Sequence, residues 1–269
     1  MAEKTERWNN FRIDNFLFLL YGVWTVTIVF FLIWDISTAN RVAREIAIAE
    51  AKANFNKDRA FRKWAASHGG VYVPATERTP PNPNLSHISE RDITTPSGRK
   101  LTLMNPAYMV RQVMNDFSAE YGVIGRITSL KYLWEGNKPD EWERKALASF
   151  ETGTEEIYEF IEINGEPYLR FIQSLKVLKD CLKCHGYQGY KEGDIRGGIG
   201  VSLPLKALYA IKRENIIVYV ISHSLIWLLG FAGIRYAGKK LSKAQKEIEN
   251  SEEHYRTLIS QTIESVLAS

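Results

Sequence analysis

Five consecutive residues, Cys181-Leu182-Lys183-Cys184-His185, have the types and spacing for one particular chemistry. C-x-x-C-H sets two thiols three positions apart with an imidazole beside the second, which is the attachment pattern of a c-type haem. The thiols add to the two vinyl groups along one side of a porphyrin, and the adjacent imidazole offers a neutral nitrogen to the iron. A thioredoxin-like dithiol needs no histidine and expects a βαβ setting. Zinc wants a third cysteine or a paired histidine, and the chain has only these two Cys. With 5 His in 269 residues, chance alone places one after the second Cys in about 2% of cases. The pattern predicts one covalently attached haem c, tethered by Cys181 and Cys184 and ligated by His185.

The opposite iron position is less determined. A thiolate is excluded because both cysteines are used as thioethers. His68 is the first candidate: it ends a helical segment beside Gly69 and Gly70, which let a flat ring approach closely. A histidine also caps a helix C-terminus, so the same residue has a structural reading of equal weight. Met104 and Met109 follow, although methionine is more often core filler. An open position that admits a gas is the remaining alternative. His223, between Ser222 and Ser224 in an apolar run, reads as an interhelical hydrogen-bond partner. His87 and His254 read as solvated. Gly197-Gly198-Ile199-Gly200 lacks the strand-turn-helix setting of a phosphate loop and reads as a turn into a strand. The sequence has no catalytic triad, paired-carboxylate site or phosphate loop, so no enzyme activity is expected.

The elements that must position these residues follow from a segregated composition. The chain is 45% hydrophobic and 25% charged, yet residues 16–36 and 216–234 are almost purely apolar. Each run is about 20 residues, roughly 30 Å as a helix, which matches a bilayer core. A cleaved signal peptide is the competing reading of the first run, with Ser37-Thr38-Ala39 as small residues. The length of the run and its interfacial Tyr21, Trp24 and Trp34 favour a span. Arg235, Lys239, Lys240, Lys243 and Lys246 follow the second run, and Lys4, Arg7 and Arg12 precede the first, which sets both termini in the cytoplasm. The net charge of +4 belongs to this topology and not to nucleic-acid binding. The expected order is a cytoplasmic segment (1–15), a span (16–36), an extracytoplasmic domain (37–213), a second span (214–236) and a cytoplasmic coil (237–269). Such a chain is a two-pass protein of a bacterial inner membrane, surrounded by membrane lipid, with the domain in the periplasm.

Within the domain, Val42, Ile46, Ala49 and Ala53 predict a helix that continues the first span and ends at His68-Gly69-Gly70. The run 80–84, rich in Pro and Asn, reads as a loop, 99–104 as a strand, and Asn105-Pro106 as a helix start. Asn137-Lys138-Pro139-Asp140 precedes a helix over 141–150. Asn164-Gly165 joins strands over 157–163 and 168–177 into a hairpin, and a last strand covers about 199–203. Mixed helices and antiparallel strands give an α+β domain. After the second span, Leu241, Ala244, Ile248, Ser251, Tyr255, Leu258, Thr262 and Ser265 form a weak coiled-coil seam, which predicts a homodimer.

Several segments together resemble a known family: His68 to Pro74, Met104 to Met109, Asn137 to Glu143, and Cys181 to His185 running into Gly186-Tyr187-Gln188-Gly189-Tyr190-Lys191. They are similar to the PAS-like c-type haem sensor domains found ahead of bacterial histidine kinases and diguanylate cyclases, a family long catalogued as a domain of unknown function. The resemblance covers about residues 40–205. It implies a PAS-like antiparallel sheet with flanking helices, haem in a pocket, and detection of redox state or a small diatomic gas. The segment Ser251 to Ile259 resembles the opening of a cytoplasmic PAS domain, while the sequence stops at Ser269. The expectation is therefore either a truncated sensor, folded but without output, or a natural short form whose output, a kinase, cyclase or chemotaxis-type protein, comes from another polypeptide. The alternative is a membrane-anchored monohaem c-type cytochrome that passes electrons to a redox partner.

Overall fold

Nothing between residues 37 and 67 interrupts helical propensity, and helix α1 runs without a break over Ala2–Ser67. In this computed structural model the backbone is described for residues 2–267, and for 2–14, 119, 184 and 264–267 the backbone alone. The side chains of Lys4, Arg7, Arg12 and Ser265 and all of Ser269 therefore lie outside the described residues. The contacts divide the chain into two units, one over Val42–Ile211 and one made of the chain on either side of it.

The second of these units is helical. It contains the apolar parts of α1 and of α5 (Lys206–Leu267). The stretches Asn15–Ser67 and Lys206–Ile263 are each long and apolar enough to cross a membrane, with mean hydropathy reaching 2.4 and 1.9. Polar side chains link the two helices. Trp24 Nε1 donates to the Trp227 carbonyl at 3.1 Å, and Trp227 Nε1 donates to Thr25 Oγ1 at 3.0 Å. His223 finds its partner in Asp35 of the first run, Nε2 to Oδ2 at 3.5 Å.

The unit over Val42–Ile211 is α+β. Strands β1 (Val71–Pro74), β2 (Asp92–Thr94) and β3 (Lys100–Met104) form an antiparallel sheet in the order β1-β3-β2. Helix α2 (Pro106–Tyr121) starts as read, with Asn105 Oδ1 accepting from the Tyr108 amide at 2.9 Å and Pro106 in the first turn. Strand β4 (Ile124–Thr128) and helix α3 (Glu141–Phe150) follow, then β5 (Glu156–Ile163), β6 (Glu166–Lys176), the short helix α4 (Leu182–His185) and β7 (Ile195–Pro204). The second antiparallel sheet has the order β4-β7-β6-β5. The β5-β6 hairpin turns at Asn164 (φ 52°) and Gly165 (φ 79°), the left-handed pair that a type I′ turn requires.

The core is built from Phe55 of α1, Val110 and Met114 of α2, Leu169 and Phe171 of β6, and Ile199, Val201 and Leu203 of β7. The face of α1 that packs inward is Ala43, Ala47, Ala51 and Phe55, whereas Val42 and Ile46 remain 43% and 47% exposed, and Ala49 and Ala53 are exposed too. The alanines present little bulk and let the helix lie close on the sheet, so the buried stripe is the one with the smaller side chains. The glycine run is a correction. Gly197, Gly198 and Gly200 lie inside β7, not in a turn before it. A Cβ on Gly197 would run into the Thr128 carbonyl oxygen of β4, and one on Gly198 would meet Ile172 of β6 at 2.9 Å. Close backbone approach is what glycine supplies at those positions.

Candidate functional site

The chain between β6 and β7 turns tightly from residue 179 to 188: a 3-10 turn (Lys179–Cys181), the four-residue α4, and another 3-10 turn (Gly186–Gln188). Helical spacing of i, i+3 and i+4 puts positions 181, 184 and 185 on one side of that turn. Cys181 is half-buried, with its sulfur accepting from the Leu178 amide at 3.4 Å. The Cys184 side chain lies outside the described residues.

His185 is half-buried, and its Nδ1 sits 2.7 Å from Gln188 Oε1. Arg196 Nε lies 3.4 Å from the same Nδ1, but the Gln188 contact is the shorter one, and with the amide oxygen facing the ring it favours the proton on Nδ1 and leaves the Nε2 lone pair unprotonated. Burial is the main influence on this ring and moves its pKa below the ordinary value of 6.5; the Gln188 contact pulls the other way, and the positive Arg196 and Arg62 add to the lowering. A neutral imidazole with one nitrogen held by a side-chain acceptor is the state in which histidine ligates iron.

His185 lines a cavity of about 490 Å³, inside the usual range for small-molecule and cofactor sites. One wall is the loop Pro80 to Asn84; others are Asn105, Tyr108 and Arg111 at the start of α2, Thr128 and Ser129 at the end of β4, Trp134, and Arg196 and Gly197 of β7. A second space of about 50 Å³ joins Cys181 and His185 to Gly69 and Ala107. A third, of about 240 Å³, lies against Cys181, Arg62 and Leu178. The two described members of the C-x-x-C-H motif thus open onto shared space within one domain.

The candidates for the opposite ligand are placed differently. His68 is exposed at the end of α1, its ring on Trp64 with 4.6 Å between centroids and its Nδ1 2.8 Å from the Trp64 carbonyl oxygen. This is the capping geometry, and it also orients Nε2 as the free nitrogen, as a ligand needs. His68 lines none of the three spaces described above, while its neighbour Gly69 lines the one of about 50 Å³. Met104 is 5% exposed in β3 and Met109 packs against the main core, so both serve as core side chains. His87 is exposed, with its ring 4.9 Å from that of Tyr187. Among the described residues, no group of three or more His, Cys, Asp or Glu is placed to hold a metal ion by itself.

Several residues of the site have no signal in the sequence alone. Arg196 reaches His185 and the cavity because β4 and β7 pair, which brings Ser129 and Arg196 together across 67 residues of chain. Gln188 could have been found, since a polar residue three positions after the motif histidine in a tight turn meets it. The wall formed by Pro80 to Asn84 reads as no more than a loop until the fold is known.

Comparison with known proteins follows this geometry. A search of curated proteins found no match. Among solved structures, the chain is similar to one titled "Crystal structure of the cyanobacterial heme-protein Tll0287", with 15% identity, a TM-score of 0.39, and an alignment covering 58% of this chain and 94% of that one. A likeness that loose carries no argument. The model of the Tll0287-like family, described as Tll0287, matches residues 40–204, the stretch that holds the α+β unit and the Cys181 to His185 motif. This match spans more than half of the sequence, and the chain belongs to the Tll0287-like family.

Proposed function

We propose that this protein is a membrane-anchored c-type haem sensor, with one haem c attached through Cys181 and Cys184 and ligated by His185. The observation that carries this reading is His185 itself: a motif histidine held neutral by burial, its Nδ1 engaged by Gln188, at the wall of a cavity of ligand size. Membership of the Tll0287-like family supports the cofactor, because the protein that gives the family its name is titled a haem protein. When bound, the haem supplies an iron that changes oxidation state or takes a diatomic gas. The chain's own residues supply the rest. Cys181 and Cys184 fix the ring, His185 holds the proximal side, and His68 is the proposed opposite ligand, its Nδ1 engaged with the Trp64 carbonyl.

The sensor is proposed to sit in the periplasm of a bacterial inner membrane as a PAS-like domain between two spans. The lysines and arginines after residue 234 support that orientation. Dimerisation is proposed along two exposed stripes with 3-4 spacing: Val42 and Ile46 on α1, and Leu241, Ile248, Tyr255 and Leu258 on α5. Output passes to a cytoplasmic signalling protein, and the chain itself performs no catalysis. The test is a set of absorption spectra of the purified protein, oxidised, reduced, and reduced under CO. A gas sensor shifts its Soret band with CO, a redox sensor changes ligand field between oxidation states, and an electron carrier stays low-spin and six-coordinate in both. Loss of the low-spin spectrum in His68→Ala places His68 on the iron; an unchanged spectrum removes it.

A further inference from the structure

Four of the eleven arginines over residues 42–211 have a carboxylate partner, Arg91 with Asp92 among them. Arg78 is 2.6 Å from Asp116, Arg126 is 3.2 Å from Glu143, and Arg170 is 2.6 Å from Asp140. Among the described residues, Arg62, Arg111 and Arg196 have none within ion-pair distance, and all three are half-buried in the wall of the cavity that His185 lines. Arg196 is held from Nη1, which donates to Ser129 Oγ at 2.6 Å and to the Lys131 carbonyl at 3.2 Å, and from Nε, which lies 3.4 Å from His185 Nδ1. Its second terminal nitrogen has no partner among the described residues. Arg111 is held by stacking, its guanidinium 4.2 Å from the Trp134 ring and 5.2 Å from that of Tyr108. That leaves its hydrogen-bond donors unspent, because a ring face takes charge and not N–H geometry. Arg62, on α1, also reaches the two spaces beside Cys181.

Partly buried guanidiniums without counter-charges are costly unless something anionic completes them. Burial pushes both Arg62 and Arg111 below the ordinary arginine value; at Arg62 the neighbouring Cys181 opposes this and Arg196 adds to it. Asp116 is the one acidic side chain in the same wall, and Arg78 occupies it. The cavity is therefore cationic, and its other walls mix neutral polar side chains, such as Asn105 and Asn115, with apolar and aromatic ones, such as Leu133, Ile127 and Trp134. Guanidinium is the side chain suited to carboxylate, which it meets through parallel N–H bonds.

We propose that Arg62, Arg111 and Arg196 form a carboxylate-binding site within this cavity and receive the two carboxylates of the haem. This rests on the haem reading above and adds to it which end of the ring faces inward. The vinyl edge belongs with Cys181 and Cys184, and the carboxylate edge belongs with the arginines.

The test uses the full-length Cys181→Ser, Cys184→Ser double variant in detergent, titrated with ferric protoporphyrin and separately with its dimethyl ester, read from the Soret band. The account expects the free acid to bind about 10-fold or more tightly than the ester, the value of one charge-assisted hydrogen bond or more. Arg62→Gln and Arg111→Gln should each shrink that ratio, Arg62→Lys should retain part of it, and the surface Arg144→Gln should leave it unchanged. Circular dichroism melting of each variant separates a binding loss from a folding loss. Equal affinity for acid and ester in the parent overturns the arginine proposal and leaves the haem reading standing. Binding of neither porphyrin overturns both. Stabilisation by free succinate that depends on Arg62 and Arg111, alongside equal porphyrin affinities, would assign the site to a free dicarboxylate and overturn the proposal as stated.

Discussion

Glu143 allows a worked prediction, because its carboxylate is 2% exposed and has three partners whose worth can be separated. It accepts from the Asp140 amide at 2.9 Å in a reciprocal capping box that starts α3. It also lies 3.2 Å from Arg126 Nε and 3.7 Å from Arg170 Nη2. Burial raises its pKa above the ordinary 4.5, outweighing the Asp140 amide and the arginines that pull it down. The ionised form is thus penalised in the fold, and the cap is the contact that stabilises. Glu143→Ala loses the cap bond, about 1 kcal/mol, and one buried methylene at about 0.8 kcal/mol, or about 2 kcal/mol in all. The loss stays below the 3–5 kcal/mol typical of an orphaned buried charge, because Arg170 keeps Asp140 and Arg126 keeps the Lys138 carbonyl at 2.7 Å. Glu143→Gln keeps the methylenes and the cap acceptor and should cost under about 1 kcal/mol. At about 2–4 °C per kcal/mol for a domain of this size, melting followed by near-UV circular dichroism should fall about 4–8 °C for the alanine variant and under about 4 °C for glutamine. A carboxyl pKa raised by folding contributes stability that is present below 4.5 and is lost as pH rises through the folded value. The glutamine variant should therefore compare better with wild type at pH 7 than at pH 4.5. A glutamine variant as unstable as the alanine variant at pH 7 would refute this and show that the ion pairs carry the stability.

Other consequences are simpler to state. Gly197→Ala forces a Cβ onto the Thr128 carbonyl oxygen, which cannot swing away as a side chain would. It should cost about 2–3 kcal/mol in thermal unfolding, and a change under about 0.5 kcal/mol would mean that β4 and β7 are not packed this way. Gln188→Leu removes the acceptor on His185 Nδ1 and should weaken the proposed iron bond about 10-fold or more. That would be seen as a rise in high-spin haem in the absorption spectrum; an unchanged spin state would remove Gln188 from the site. His223→Ala breaks the contact with Asp35 and should cost about 0.5–2 kcal/mol in reversible unfolding from detergent micelles.

Local chemistry made a good part of this legible. Asn164-Gly165 fixed a hairpin, Asn105-Pro106 a helix start, and the glycines after His68 a helix end, because each acts through its own backbone. Gly69 and Gly70 take φ of 75° and 106°, and their amides donate to the Ala66 and Ala65 carbonyls at 3.0 and 2.8 Å. Tertiary choices were not legible. Either apolar stripe of α1 has helical spacing, and only the closeness of the sheet selects Ala43, Ala47 and Ala51 over Val42 and Ile46. Strand β4 was missed because Gly125 interrupts a short, half-buried run, and β2 because its three residues are all exposed. The division into two sheets follows from pairing partners far apart in sequence. The site shows the same split: the motif names Cys181, Cys184 and His185 outright, while Arg62, Arg111 and Arg196 become neighbours only once α1, α2 and β7 are assembled.

The central claim is covalent haem at Cys181 and Cys184. Full-length protein, produced in cells that attach c-type haem, should be run on a denaturing gel, stained for haem and measured as the pyridine complex of its reduced form. The account predicts a haem-staining band at the mass of the chain, one haem per polypeptide, and loss of that band in a Cys181→Ala, Cys184→Ala variant that still reaches the membrane. A wild-type band without haem, or haem fully extracted by acidified acetone, would contradict it.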